Sequence, residues 1–400
     1  MSHRPTPVTN DLAMVLGGGG ARGAYQVGVL RGIAKRYPHL RVPVLVGVSA
    51  GALNTVHLAS HPGTFLEAME DLVHRWLSLT PERVFRVDTA TLASTVIRSG
   101  LRLIGGGRGH PERLKGMVDT TPLRSFLEEI LTRSPDGTIP GIDANLASGR
   151  LAAVALSATS YTTSQSVTWV QGRDIQLWER PQRRSERARL TIDHVMASAA
   201  LPLLFPATQV GREWYGDGGI RLAAPISPAL HLGASRIITI ATRYDRSRSE
   251  ADRPQLVGYP PPAQVLGVLY NAIFLDLIDQ DVARLQRLNE VIARVPPADR
   301  NGLRIVDMLV LRPSTDLGRL SREYEPRLPS VFRFLTRGLG TRKTQSPDIL
   351  SLVMFQKDYL ERLVALGEED AERARDRIAE FIEGGAPATR EQEAIANRAV

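Results

Sequence analysis

The sequence predicts an α/β protein with a mainly parallel central sheet. Short β-branched apolar runs alternate with helix-periodic stretches, and glycines cluster where strand gives way to helix. The 400 residues are 43% hydrophobic, enough to bury one large core with an appendage.

Taken in order, Leu12–Leu16 reads as the first buried strand, followed by Gly17-Gly18-Gly19-Gly20-Ala21-Arg22-Gly23 and a helix over about Ala24–Tyr37 that Pro38 helps to end. The run Val44-Leu45-Val46-Gly47-Val48 reads as a second strand, and Ala50–Ser60 as a helix. Helices are expected at Thr64–Leu79 and Thr121–Leu131, and strands at Leu151–Ser157, Ser166–Val170, Arg236–Ala241 and Ile305–Leu311. One long helix is expected over about Ala263–Arg294, and a helix pair within Leu350–Asp376. The expected organisation is a flexible tail at 1–10, a catalytic domain at 11–315, a helical extension at 316–385 without chemistry of its own, and a second tail at 386–400.

Composition narrows the chemistry. The chain has no cysteine, which excludes disulfides, thiol nucleophiles and thiolate metal sites. Any nucleophile is then a serine. The net charge of +8 comes almost wholly from arginine, scattered along the chain without a nucleic-acid-binding motif, and favours an anionic membrane as partner over nucleic acid. Residues 1–10 are polar and lack a secretory signal, which predicts a cytoplasmic protein, peripheral on the inner face of the membrane. Within Thr91–Gly109, apolar residues share the segment with Arg98, Arg102 and Arg108, a combination that suits either a lipid-facing lid or an ordinary surface helix. Arg180, Arg183, Arg184, Arg187 and Arg189 form a basic run, read as a solvated loop or as a phosphate-headgroup contact.

Three segments carry candidate chemistry. Ser49 stands between Gly47 and Gly51 where strand turns to helix, the position of a nucleophile elbow whose neighbours have no room for side chains. Gly18, Gly20 and Gly23 satisfy the spacing of a dinucleotide-binding loop, yet no Asp or Glu occurs between Asp11 and Glu67 to hold a ribose. The same bare amides suit the oxyanion of an acyl-transfer intermediate. Asp217, followed by Gly218 and Gly219, ends a short aromatic strand and reads either as a hairpin turn or as a base for Ser49. To serve near neutral pH it must be raised by burial. The prolines of Leu201-Pro202-Leu203-Leu204-Phe205-Pro206 break a helix into an apolar corner, placed along an acyl-chain pocket. His231 is the one histidine beyond Asp217 and reads as structural; His57 and His61, at helical spacing, lack an acidic ligand nearby in sequence.

Gly18-Gly19-Gly20-Ala21-Arg22-Gly23, Gly47-Val48-Ser49-Ala50-Gly51 and Asp217-Gly218-Gly219, in that order and together with Ala197–Pro202, resemble the patatin-like phospholipase family over about Asp11–Pro225. The resemblance implies a three-layer α/β/α sandwich and a Ser–Asp dyad with Ser49 as nucleophile and Asp217 as base. It also implies an oxyanion hole at Gly18, Gly19 and Gly20, grouped here with Arg22 and Gly23 of the same loop. It implies lipid as substrate and needs no metal or cofactor. No obligate protein partner follows from it. The expected reaction is lipid ester hydrolysis through an acyl-enzyme. Transacylation or thioester cleavage on the same dyad, or a non-catalytic lipid- or nucleotide-binding role, are the alternatives.

Overall fold

The computed structural model describes residues 11–86, 116–222, 224–252, 258–274, 276–328, 333, 341 and 346–385. The segment considered above as a lid, 91–109, lies outside them. Ten strands form one sheet in the order β10-β9-β1-β2-β3-β4-β6-β5, with β8 on β3 and β7 on β8. They are β1 (Leu12–Leu16), β2 (Val44–Val48), β3 (Ala153–Ser160), β4 (Ser166–Gly172), β5 (Glu179–Arg180), β6 (Arg183–Arg187), β7 (Thr208–Val210), β8 (Glu213–Asp217), β9 (Arg236–Ile240) and β10 (Asp307–Leu311). From β10 to β3 every pairing is parallel; beyond β3 the sheet is mixed, because β4 and β8 both run antiparallel to β3. β1, β2 and β9 are buried along their whole length, as their unbroken apolar sequences require.

Side chains alternate between two cores. Met14, Leu16, Leu45 and Ile238 face the helices α1 (Gly23–Arg36), α2 (Ala50–Ser60) and α3 (Phe65–Leu77). Ala13, Val15, Val44, Val46 and Ile237 face the opposite layer, formed by helix Asp276–Ile292 and the short helix Ser227–His231. The result is a three-layer α/β/α arrangement.

Local signals explain the boundaries. Thr64 and Glu67 form a reciprocal capping box that starts α3 one residue inside the expected stretch. The expected helix Ala263–Arg294 is described as two, Pro262–Phe274 and Asp276–Ile292. The basic run is a short hairpin, β5 and β6, whose Arg184 bridges Glu186 and Glu213 and whose Arg189 neighbour bridges Asp136 and Asp143.

The C-terminal helices are integral to the main body. Helix Lys357–Arg373 lies directly on α1, with the backbone of Gly28 against Val364 and that of Gly367 against Val29. Added Cβ atoms at either glycine would strike the facing backbone, so only glycine permits this approach. Tyr25 of α1 donates to Asp370 at 3.0 Å in the same buried contact. No described helix is long and apolar enough to cross a membrane.

Candidate active site

The parallel half of the sheet ends where β1 and β2 deliver their C-terminal turns side by side. β1 releases the glycine loop and β2 releases Ser49. In open α/β sheets such adjoining carboxyl ends are where ligands bind.

Ser49 has φ +57° and ψ −128°, a conformation that costs a non-glycine residue about 1–3 kcal/mol and is held only by surrounding structure. Two contacts hold it. A Cβ on Gly51 would collide with the Leu16 carbonyl, so α2 can start tight against β1 only with glycine there. A Cβ on Gly47 would come within 2.7 Å of the Gly51 carbonyl and overlap Thr55. The prediction is direct: Gly51→Val prevents soluble expression, and recovery of well-folded protein by circular dichroism would contradict the packing argument.

The glycine loop is fixed from behind by a chain of buried polar side chains. Trp76 Nε1 donates to Asn54 Oδ1 at 2.7 Å, Asn54 Nδ2 to Gln26 Oε1 at 3.2 Å, and Gln26 Nε2 to the Gly17 carbonyl at 3.0 Å. Thr242 adds a bond to the Gly18 carbonyl at 3.1 Å. With its carbonyls tied down, the loop leaves the N–H groups of Gly18 and Gly19 donating to nothing among the described residues. Buried amides without partners are rare, and these suit an incoming oxyanion. Gly20 lines the same apolar cavity as Ser49.

Arg22 and Gly23, grouped with this loop from sequence, point elsewhere. The Arg22 guanidinium bonds Asp348 at 2.6 Å and Ser351 at 2.7 Å on helix Asp348–Val353, and its own N–H closes on the Gly19 carbonyl. Arg22 therefore locks the loop to the C-terminal segment. Gly23 opens α1 against the Trp76 ring.

Asp217 ends β8 and is fully buried. Its Oδ1 accepts from Gly219 N–H at 2.9 Å, whereas Oδ2 has no hydrogen-bond partner among the described residues. Burial raises the carboxyl from its ordinary value to about 7, against the opposing pull of the Ser49 hydroxyl and the Gly219 amide. Ser49 is thus an electrostatic neighbour of the carboxylate, without forming a bond of ordinary geometry in this state. Such contacts commonly tighten when substrate binds. Gly218 lies against the Ser157 carbonyl of β3, which lets the loop turn beneath β2.

Sequence reasoning missed Ser198, in the segment Ala197–Pro202. Its fully buried hydroxyl accepts from Ser49 N–H at 3.0 Å and donates to the Ser157 carbonyl at 2.7 Å. Two residues on, the Ala200 carbonyl accepts from Asp217 N–H at 2.9 Å. One short segment therefore holds the backbones of both Ser49 and Asp217. The signal was a serine among alanines just before a proline corner, which reads as helix end rather than as a brace.

The corner borders the apolar cavity at Ser49, which Leu201 and Phe205 line together with Leu53, Trp76 and Leu127. Phe355, from the C-terminal segment, lines it too and stacks on Trp76 with ring centroids 6.5 Å apart. Three of the described histidines are engaged away from Ser49 and Asp217. His231 stacks on Trp178 at 4.7 Å, His194 caps its own helix through Thr191, and His57 bonds the Ala68 carbonyl. Among the described residues, no histidine acts on the Asp217 carboxyl. Asp71 approaches His57 at 3.5 Å, a neighbour that the sequence did not show, but no three potential metal ligands converge among the described residues.

In comparison with known proteins, VipD from Legionella pneumophila aligns at 13% identity and a TM-score of 0.34, covering 92% of this chain and 67% of that one. Human GIVD cytosolic phospholipase A2 aligns at 13% identity and a TM-score of 0.46, covering 94% of this chain and 60% of that one. The chain thus spans about three fifths of the human enzyme's length. No curated protein matches the sequence. Family comparison matches residues 14–230 to "Patatin-like phospholipase", more than half of the chain and a span that holds the glycine loop, the serine elbow and Asp217. The chain therefore belongs to the patatin-like phospholipase family.

Proposed function

We propose that Ser49 and Asp217 are a catalytic dyad that cleaves carboxylic esters of phospholipids or related lipids through an acyl-serine. The observation that carries this reading is the pairing of a strained, buried serine with a fully buried carboxylate raised to about 7. A carboxylate of ordinary acidity is too weak a base for a serine hydroxyl, and apolar burial brings it close to working pH.

The lipid acyl chain enters the apolar cavity and presents its ester carbonyl to Ser49. As Ser49 Oγ bonds to the carbonyl carbon, its proton passes to Asp217 Oδ2, the oxygen without a partner. The negative charge formed on the carbonyl oxygen is met by the Gly18 and Gly19 amides, with the Ala50 N–H at the start of α2 as a further donor. Collapse breaks the bond to the alcohol oxygen, which leaves with the proton from Asp217. Water then attacks the acyl-serine while Asp217 takes its proton, and the fatty acid departs as Ser49 recovers a hydrogen. Peripheral contact with an anionic membrane belongs to the same reading.

A fluorophosphonate probe tests it. The expected result is a single adduct that peptide mass spectrometry locates on Ser49, with fatty acid released from a panel of lipids. Absence of labelling in protein that hydrolyses the panel would overturn the assignment of Ser49. For the brace, Ser198→Ala leaves the buried Ser49 N–H unpaired, at a cost of about 1–3 kcal/mol. A lower melting temperature is expected, with kcat down about tenfold and KM within about twofold, since a small displacement of the nucleophile suffices for such a loss. Unchanged kcat on a nitrophenyl ester would show that Ser198 positions nothing.

A further inference from the structure

Helix Pro262–Phe274 carries no charged residue and is apolar on both faces, since Leu266 and Ile273 also pack on the core, whereas a surface helix is polar on its outer face. Ala263, Gly267, Tyr270 and Asn271 face inward: Ala263 and Tyr270 are buried, Gly267 lies against Asp348, and Asn271 donates to Asp348 at 2.7 Å. Val265, Val268, Leu269 and Ala272, spaced at i, i+3, i+4 and i+7, are exposed. An amphipathic surface helix presents polar residues outward, so an outward apolar stripe is the mark of a surface that meets another apolar phase. The stripe is extended on either side. Leu203 is 73% exposed on the corner whose Pro202 carbonyl accepts from Tyr270, and Tyr259, just before the helix, is 94% exposed.

This face adjoins the site. Ala272 and Ile273 line a groove together with Gly219, whose N–H holds Asp217, and with Arg183 and Arg221. The Arg183 side chain has no hydrogen bond or ion pair among the described residues, and the Arg221 side chain bonds only the uncharged Gln182 there. The nearby carboxylate of Asp281 feels the charge of Arg183, but it is itself half-buried and bonded to Ile226 N–H. An apolar stripe next to two arginines on one rim of a lipid hydrolase matches a bilayer surface, hydrocarbon beside anionic phosphate.

We propose that Val265, Val268, Leu269 and Leu203 seat the protein on an anionic lipid surface, with Arg183 and Arg221 contacting headgroup phosphates at the groove that leads to Asp217. The proposal rests on the lipid-hydrolase reading for its choice of partner, but its test does not depend on turnover. The full chain is sedimented with phosphatidylcholine vesicles, with and without phosphatidylglycerol. The wild type is expected to bind both and to prefer the anionic vesicles. Val268→Ser combined with Leu269→Ser is expected to cut partitioning at least tenfold, since two exposed apolar side chains are lost from the contact. Arg183→Gln combined with Arg221→Gln is expected to remove the preference for anionic vesicles. Melting curves confirm that each variant is folded. Binding of the serine variant at the wild-type level overturns the proposal, as does a wild-type dimer that this variant converts to monomer without change in vesicle binding, which would assign the face to a second copy. Vesicle binding without hydrolysis of a soluble short-chain ester would remove the catalytic reading and leave the docking surface standing; hydrolysis of that ester without vesicle binding would do the reverse.

Discussion

Ser49→Ala is expected to lower kcat/KM on a short-chain nitrophenyl ester by at least about 10⁴-fold, and to abolish fluorophosphonate labelling. Without the hydroxyl no acyl-enzyme forms, and what remains is binding plus whatever the glycine amides do for attack by water. A residual activity near a tenth of wild type would sink Ser49 as nucleophile. The stability of two variants separates chemistry from backbone strain. At φ +57°, alanine is as strained as serine, whereas glycine adopts that angle freely. Ser49→Gly is therefore expected to melt above Ser49→Ala while being equally inactive.

Asp217→Asn is expected to lower kcat by about 10²–10⁴-fold, the range for loss of a positioned base. If Asp217 is the base, the wild-type activity should rise with pH along a limb centred near 7, because only the ionised carboxylate can take the serine proton. The same substitution has a stabilising side. The folded carboxyl is raised above its unfolded value, so the native state binds the extra proton between about pH 4 and 7. That contribution to stability is present below the unfolded pKa and is lost as pH climbs through 7, leaving a buried charge on the order of 4 kcal/mol less favourable than the neutral form. Asparagine keeps the shape and the bond from Gly219 without the charge. Asp217→Asn should thus melt higher than wild type at pH 8, and the gap should shrink towards pH 5. A gap that grows on acidification would contradict the burial argument.

The serine elbow and the glycine loop were legible in sequence because each needs bare backbone at fixed positions around a strand-to-helix turn. Gly51 against the Leu16 carbonyl is the physical form of that pattern. The apolar corner was legible as well, since Pro202 and Pro206 interrupt a helix that has nowhere polar to go. What stayed hidden depends on contacts between distant segments. Nothing near Ser198 in the chain announces that its hydroxyl meets Ser49 N–H, 149 residues away. Arg22 belongs to the loop by position, but its direction is set by Asp348, 326 residues further on. That the C-terminal helical extension packs on α1 was not legible, because the glycines that allow it, Gly28 and Gly367, carry no periodic apolar signal. The mixed half of the sheet was equally opaque: Gly211, at φ +60°, turns β7 into β8 within a stretch too short to show alternation.

That ion pair between the first loop and the last sixth of the chain also fixes a sequence of events during synthesis. β1 emerges from the ribosome well before the segment that clamps its loop and supplies Phe355 to the cavity, since Asp348 follows Arg22 by 326 residues. Loops this long close slowly relative to local helices. The pocket around Ser49 is therefore completed only by a contact that closes across 326 residues, so its wall cannot form before the segment carrying Phe355 has been made.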